Sequence, residues 1–195
     1  MKFRLPICLM ISSLMFGCAT RQAQYVDPQS RASISTDLNL ADFDRMCRDL
    51  LKKMAGNSRL NASLKKGGAA FIGGIENRTY DHLDTQAFAE NLKRLLLNSG
   101  NWTMIEPKRI DDILDRWELR KTGLFDKETA MKVGKLTDAQ FMFTGAVTSS
   151  FQRQGRRTDA TYQLTLELMS LDDGQLVWVE QTSVRKQFKR ALVGQ

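Results

Sequence analysis

The chain has 195 residues, 42% hydrophobic and 26% charged, an ordinary globular balance with enough length for one domain with a real core. Lysine and arginine outnumber aspartate and glutamate by 29 to 22, a formal net charge of +7. One histidine and three cysteines leave little for chemistry. A structural zinc wants four ligands, and a Ser or Cys nucleophile wants a base and an orienting partner.

Met1 to Arg4 is basic, and Leu5 to Phe16 is apolar, broken by Pro6, Ser12 and Ser13. The run is too short to cross a bilayer as a helix, which takes about 20 apolar residues. A basic start and a short apolar segment ending at a small residue describe a secretory signal peptide. Leu14-Met15-Phe16-Gly17-Cys18 resembles the bacterial lipobox. Residues 1–17 are therefore expected to leave as the signal, with Cys18 lipidated as the new N-terminus. One acyl chain binds marginally, whereas several on one cysteine hold fast. Ala19 follows rather than Asp, which in enterobacterial-type sorting points to the outer membrane. Lys2 and Arg4 depart with the signal, leaving 27 basic and 22 acidic residues, or +5. Export removes nucleic acid, the partner such an excess would otherwise suggest. Acidic protein surfaces or anionic wall components take its place. Cys8 is discarded and Cys18 is the anchor, so Cys47 has no partner for an internal disulfide.

Residues 18–37 are polar and read as a flexible tether, at most about 70 Å long when extended. A globular domain is expected over 38–188 and a tail over 189–195. The domain opens with a helix whose apolar face is Phe43, Met46, Cys47, Leu50, Leu51 and Met54, capped by Asn39 or Thr36 and stopped at Gly56. Cys47 on that face is an inert buried thiol by default. Ala69 to Ile75 reads as a buried strand, with Gly73 and Gly74 marking a bulge or a close backbone approach. A polar loop from Glu76 to Asp84 leads to a helix over Thr85–Asn98, with Asp84 as N-cap and Gly100 as stop. Trp102 to Glu106 predicts a short strand. Pro107 starts a helix with Ile110, Ile113, Leu114 and Trp117 on one face, and Asp126 caps another running through Val133. The period then becomes two. Phe141 to Phe151 is a strand, Tyr162, Leu164, Leu166 and Leu168 alternate with polar residues, and Asp172-Asp173-Gly174 turns into a strand over Gln175–Arg185. The expected fold is a single α/β domain: a mixed β-sheet with a C-terminal three-stranded antiparallel meander, packed against about four helices.

No catalytic constellation emerges. His82 and Asp84 stand two apart, a spacing that does not bring side chains together on a helix, and Asp84 already serves as a cap. No glycine-rich loop has phosphate-cradle spacing. Asp111-Asp112 and Asp172-Asp173 fall on a helix surface and in a turn. The reading is a non-enzyme without cofactor or metal. Two segments offer contact residues. One is the polar stretch with Asn77, Arg78, Tyr80 and His82, which also reads as a capped connection. The other is the basic hairpin with Arg153, Arg156 and Arg157, which also reads as a solubilising tip. Arg185, Lys186, Lys189 and Arg190 form a further basic patch near the C-terminus.

Phe71-Ile72-Gly73-Gly74-Ile75-Glu76-Asn77-Arg78-Thr79 with His82-Leu83-Asp84-Thr85-Gln86 resembles the LpoB family of lipoprotein activators of penicillin-binding proteins. Asp138 to Gly145, Tyr162 to Leu168 and Asp173 to Trp178 fit the same pattern, which covers about Asp37 to Lys186. These later stretches are shared with the curli-secretion and TolB N-terminal fold group. The resemblance implies an outer-membrane lipoprotein facing the periplasm. It implies docking on a class A bifunctional penicillin-binding protein and stimulation of peptidoglycan synthesis, with peptidoglycan a further candidate partner. The alternative is a secretion or envelope-assembly scaffold of curli-secretion type. The tether is shorter here than in the best-known members. The anchor has a direct check: Cys18→Ser is expected to release the protein from the membrane fraction of the envelope, and its retention there contradicts lipid attachment.

Overall fold

The computed structural model describes residues 37–63, 68–116, 126–155 and 157–189. In them the chain runs α1 (Leu40–Ala55), α2 (Ser58–Ser63), β1 (Gly68–Arg78), α3 (Thr85–Asn98), β2 (Trp102–Met104), α4 (Pro107–Arg116), α5 (Lys127–Thr137), β3 (Phe141–Gln154), β4 (Arg157–Ser170) and β5 (Leu176–Lys189). All lie in one compact unit, Arg31–Gln195. The short α2 adds a fifth helix to the four expected.

Local chemistry sets the ends of the helices. Of the two caps open to α1, Asn39 is the one used: its Oδ1 accepts from the Asp42 N–H at 2.9 Å, and the Asp42 carboxylate accepts from the Asn39 N–H at 3.3 Å. Gly56 closes the helix. Asp84 caps α3 by accepting from the Ala87 N–H at 2.9 Å. Ser99 ends α3, its hydroxyl donating to the Leu96 carbonyl at 2.6 Å, and Gly100 follows at φ +74°, where a side chain would be strained. Asp126 caps α5, which runs four residues past the expected Val133 to Thr137.

Pairing, more than composition, fixes β1. It continues through Glu76, Asn77 and Arg78, residues whose polarity suggests loop, because they lie opposite Ala146, Val147 and Thr148 of β3. The glycine pair forms a bulge: the β1–β3 register slips between Ile72 and Gly74. A Cβ on Gly73 would lie 2.6 Å from the Met142 sulfur. β2 ends at Met104, two residues short of the expected Glu106. Trp117, expected on α4, lies outside the described residues.

The sheet order is β2-β1-β3-β4-β5. β1 is parallel to both β2 and β3, while β3, β4 and β5 form the antiparallel meander. Alternation gives the strands two faces. One face buries Ala70, Ile75, Phe143, Val147, Ala160, Tyr162, Leu164, Leu166, Leu168 and Trp178 against α1 and α3. Phe43 of α1 and Phe88 of α3 stack within that core, ring centroids 4.1 Å apart and 11° from parallel. On the other face a smaller cluster, including Phe71, Met142 and Leu171, packs under α4 and α5. Among the described residues no helix is long and apolar enough to cross a membrane.

Gly145 lets three elements meet. A Cβ there would stand 2.8 Å from Leu166 Cδ2, 2.9 Å from the Thr165 carbonyl oxygen and 3.0 Å from Ile75 Cδ1. Gly145→Ala is therefore expected to lower the unfolding free energy in urea by about 1–3 kcal/mol through overpacking. An unchanged midpoint and slope would contradict this packing.

Candidate functional site

Between Arg78 and α3 the chain makes a short self-bonded turn. Asn77 Oδ1 accepts from the Thr79 N–H (2.9 Å) and from the Thr79 hydroxyl (2.8 Å), and Asn77 Nδ2 donates to the Asp81 carbonyl (2.8 Å). The Asp81 N–H donates to Thr79 Oγ1 at 3.1 Å. These bonds satisfy the backbone that leaves the ladder. Leu83 turns inward and is buried, and Asp84 starts the helix. Tyr80 and His82 are left outward, Tyr80 at 92% exposure.

Two contacts tie this turn to the sheet. The Tyr162 hydroxyl donates to Asp81 Oδ2 at 2.5 Å. Phe151, 44% exposed, lies with its ring centroid 6.5 Å from Tyr80 and 6.3 Å from Tyr162. Three rings thus lead from solvent into the core. Burial first, and then the Asp81 carboxylate, push the Tyr162 hydroxyl well above the usual phenol range, so it stays a donor.

The residues singled out from the sequence separate into roles. Asn77 shapes the turn. Arg78 follows it on β1 and points to the other face of the sheet, where its Nε donates to Glu76 at 2.7 Å and Glu167 adds attraction. Tyr80 and His82 face solvent. Arg153 and Arg157 are exposed at the tip of the β3–β4 hairpin, which leaves Gly155 and Arg156 between the paired Gln154 and Arg157. Arg156 lies outside the described residues. Of the C-terminal basic patch, Arg185 and Lys186 are paired within the fold, while the Lys189 side chain and Arg190 lie outside the described residues. Arg185 binds Asp159, whose carboxyl is held low by that bond and by Gln187 Nε2 at 2.8 Å. Lys186 binds Asp42 and donates to the Asp37 carbonyl at 2.6 Å.

Phe151, Asp81 and Tyr162 complete the site and were not singled out from the sequence. Phe151 reads there as the end of a strand and Tyr162 as one of an alternating row. The Asp81–Tyr162 bond joins positions 81 residues apart, with no local signal.

Reactive groups lie elsewhere or are inert. Burial, and then the Asp44 charge, push the Cys47 thiol far up, so it holds its proton. A cleft of about 360 Å³ is lined by Leu51, Met54, Ala55, Asn61, Ser99, Asn101 and Trp102, none of them titratable near neutrality. Among the described residues no three His, Cys, Asp or Glu side chains gather as a metal site. An exposed aromatic pair, with exposed Arg153 two residues beyond Phe151 on the same strand, is suited to recognising a protein, since such side chains are enriched in interface hot spots.

The sequence model of the family described as "Peptidoglycan-synthase activator LpoB" matches residues 41–184. The chain belongs to the LpoB family. The fold agrees with solved members of it. The LpoB C-terminal domain from Salmonella enterica aligns with a TM-score of 0.60 at 18% identity, covering 73% of this chain and 98% of that one. The same domain from Escherichia coli gives 0.61 at 17%, with the same coverages. The NMR structure of E. coli LpoB gives 0.54 at 14%, covering 96% of this chain and 94% of that one. No curated protein matches the sequence. LpoB membership makes this chain one of a family of peptidoglycan-synthase activators, a regulatory rather than catalytic class.

The site's stability pattern is checkable. Asp81→Ala strips a buried hydroxyl of its acceptor and is expected to cost about 1–3 kcal/mol in denaturant unfolding. Tyr80→Ala and His82→Ala remove exposed side chains and are expected to stay within about 0.5 kcal/mol. Equal costs at all three positions would contradict the division into pinning and outward-facing residues.

Proposed function

We propose that this chain is a non-catalytic lipoprotein, held at the outer membrane through Cys18, that docks on a class A bifunctional penicillin-binding protein and stimulates its glycan polymerisation and peptide cross-linking. The match of the activator family to residues 41–184 carries this reading. The docking end is the Tyr80–Phe151 pair, with exposed His82 in the same turn and exposed Arg153 and Arg157 at the hairpin tip beyond Phe151; Arg156 is a further candidate from the sequence. Aromatic anchors with arginines at the adjoining hairpin tip favour a partner face with an apolar centre and an acidic rim.

Activation without chemistry is a population shift: the activator binds the synthase's active conformer more tightly than its resting one. A tenfold gain in the active-to-resting ratio needs only about 1.4 kcal/mol of differential affinity, which one well-placed aromatic anchor supplies. Residues 18–37 reach at most about 70 Å, so the start of the folded domain stays within that distance of the anchoring membrane.

The test is a binding and turnover assay with a purified class A synthase in detergent. The chain is expected to bind and to raise the rate of glycan polymerisation, and Tyr80→Ala to weaken binding by about tenfold or more. Absence of binding at high micromolar concentration would defeat the reading.

A further inference from the structure

Among the described residues, part of a central strand has a neighbour on one side only. β1 pairs with β3 as far as Arg78, opposite Thr148, and there the turn through Thr79 and Asp81 takes the chain off the ladder. β3 runs on to Gln154, still paired with β4. From Ser149 to Gln154, therefore, no described strand lies on the β1 side. The phase of the β3–β4 ladder decides which groups are left bare. Its two-residue turn closes on Gln154 and Arg157, a hydrogen-bonded pair, and such pairs recur at every second residue. At the far end of the ladder the Leu171 N–H accordingly donates to the Gln140 carbonyl at 2.9 Å. Ser150 and Gln152 thus spend their main-chain groups on β4, while Ser149, Phe151 and Arg153 turn theirs to the open edge. The outer edge of the sheet, β5, is blunted instead. Lys53 Nζ donates to the Gln181 carbonyl at 3.0 Å, and a register shift interrupts the ladder between Leu168 and Met169.

We propose that this bare stretch of β3 takes an extended, acidic segment of the synthase as an added strand, in the row that β1 vacates at Arg78. The proposal rests on the docking reading given above and names how that end grips its partner. Main-chain bonds to an added strand supply affinity, and alternate side chains supply selectivity. Phe151 and Arg153 are two apart and so share one face of the sheet, the face on which Tyr80 lies against Phe151. An apolar residue opposite Phe151, with a carboxylate two positions away opposite Arg153, matches both. Charge argues for the acidic segment. Residues 149–154 carry no acid, Asp81 is bonded by Tyr162, and Asp159, opposite Gln152, is held by Arg185 and Gln187. A second copy of this chain would bring the same edge, with an arginine and no carboxylate.

The experiment is amide hydrogen exchange on the full mature chain, alone and with a saturating amount of a purified class A synthase in detergent, read residue by residue after quenching. In the free chain, Phe151 and Arg153 are expected to exchange about tenfold or more faster than Ser150 and Gln152. With the synthase bound, exchange at Phe151 and Arg153 falls by about tenfold or more, to the level of their neighbours. Two variants separate main chain from side chain. Arg153→Ala removes the charge alone. Arg153→Pro also removes the outward N–H, at a position where an edge strand tolerates proline, and its affinity for the synthase is expected to lie about fivefold below that of Arg153→Ala. Should Arg153→Pro fail to fold, the exchange pattern decides. Fast exchange at Phe151 and Arg153 in the bound complex overturns strand addition and leaves the docking reading standing. Slow exchange there in the free chain also overturns it, because the edge is then already covered. Protection that appears on concentrating the chain alone, with the mass of a dimer, gives the edge to a second copy and defeats the proposal. A wild-type chain that does not bind the synthase defeats both readings.

Discussion

One sheet face must be kept dry, and most of the structure follows from that. Along β4, Ala160, Tyr162, Leu164, Leu166 and Leu168 all point to the same side and are buried. Phe143 and Val147 extend that surface onto β3. Each full burial of a large apolar side chain is worth about 1.5–3 kcal/mol, so a register slip of one residue, which would turn the row to water, is strongly disfavoured. α1 and α3 cover this row, and the Phe43–Phe88 stack joins them. Tyr162 is the member of the row that carries a polar atom. A buried hydroxyl needs a partner, and here the partner is the turn between β1 and α3. The outward display of Tyr80 is thus a consequence of the core.

The periodic parts of the fold were legible because their signal is local. The stripe on α1, the caps at Asn39, Asp84 and Asp126, the alternation of β4 and the Asp-Asp-Gly turn each lie within a few residues of the structure they specify. The end of β1 was less legible. Glu76, Asn77 and Arg78 look like loop until β3 is placed beside them, and strand preference for such residues is set by neighbours. The order of the sheet, with β1 between β2 and β3, is likewise long-range. In the candidate site, Asn77, Tyr80, His82 and the hairpin arginines stand out by residue type. Phe151, Asp81 and Tyr162 do not, because what distinguishes them is proximity across the sheet.

The distribution of charge sharpens the functional picture. Several basic residues are engaged within the fold: Arg48 and Arg94 hold Asp44, Arg185 holds Asp159, and Lys186 holds Asp42. Arg153 and Arg157 stand exposed at one end of the long hairpin, two to six residues past Phe151. Positive bias at that end coincides with the exposed rings. The rest of the domain keeps that surface fixed.

We propose that the partner meets the Tyr80–Phe151 end of the domain. Site-specific photo-cross-linking in living cells tests it most directly, with a photoreactive residue placed at position 80, at 151, or at the exposed Leu136 near the opposite end of β3. Adducts with a class A penicillin-binding protein are expected from 80 and 151 and none from 136. Adducts from 136 alone would contradict it.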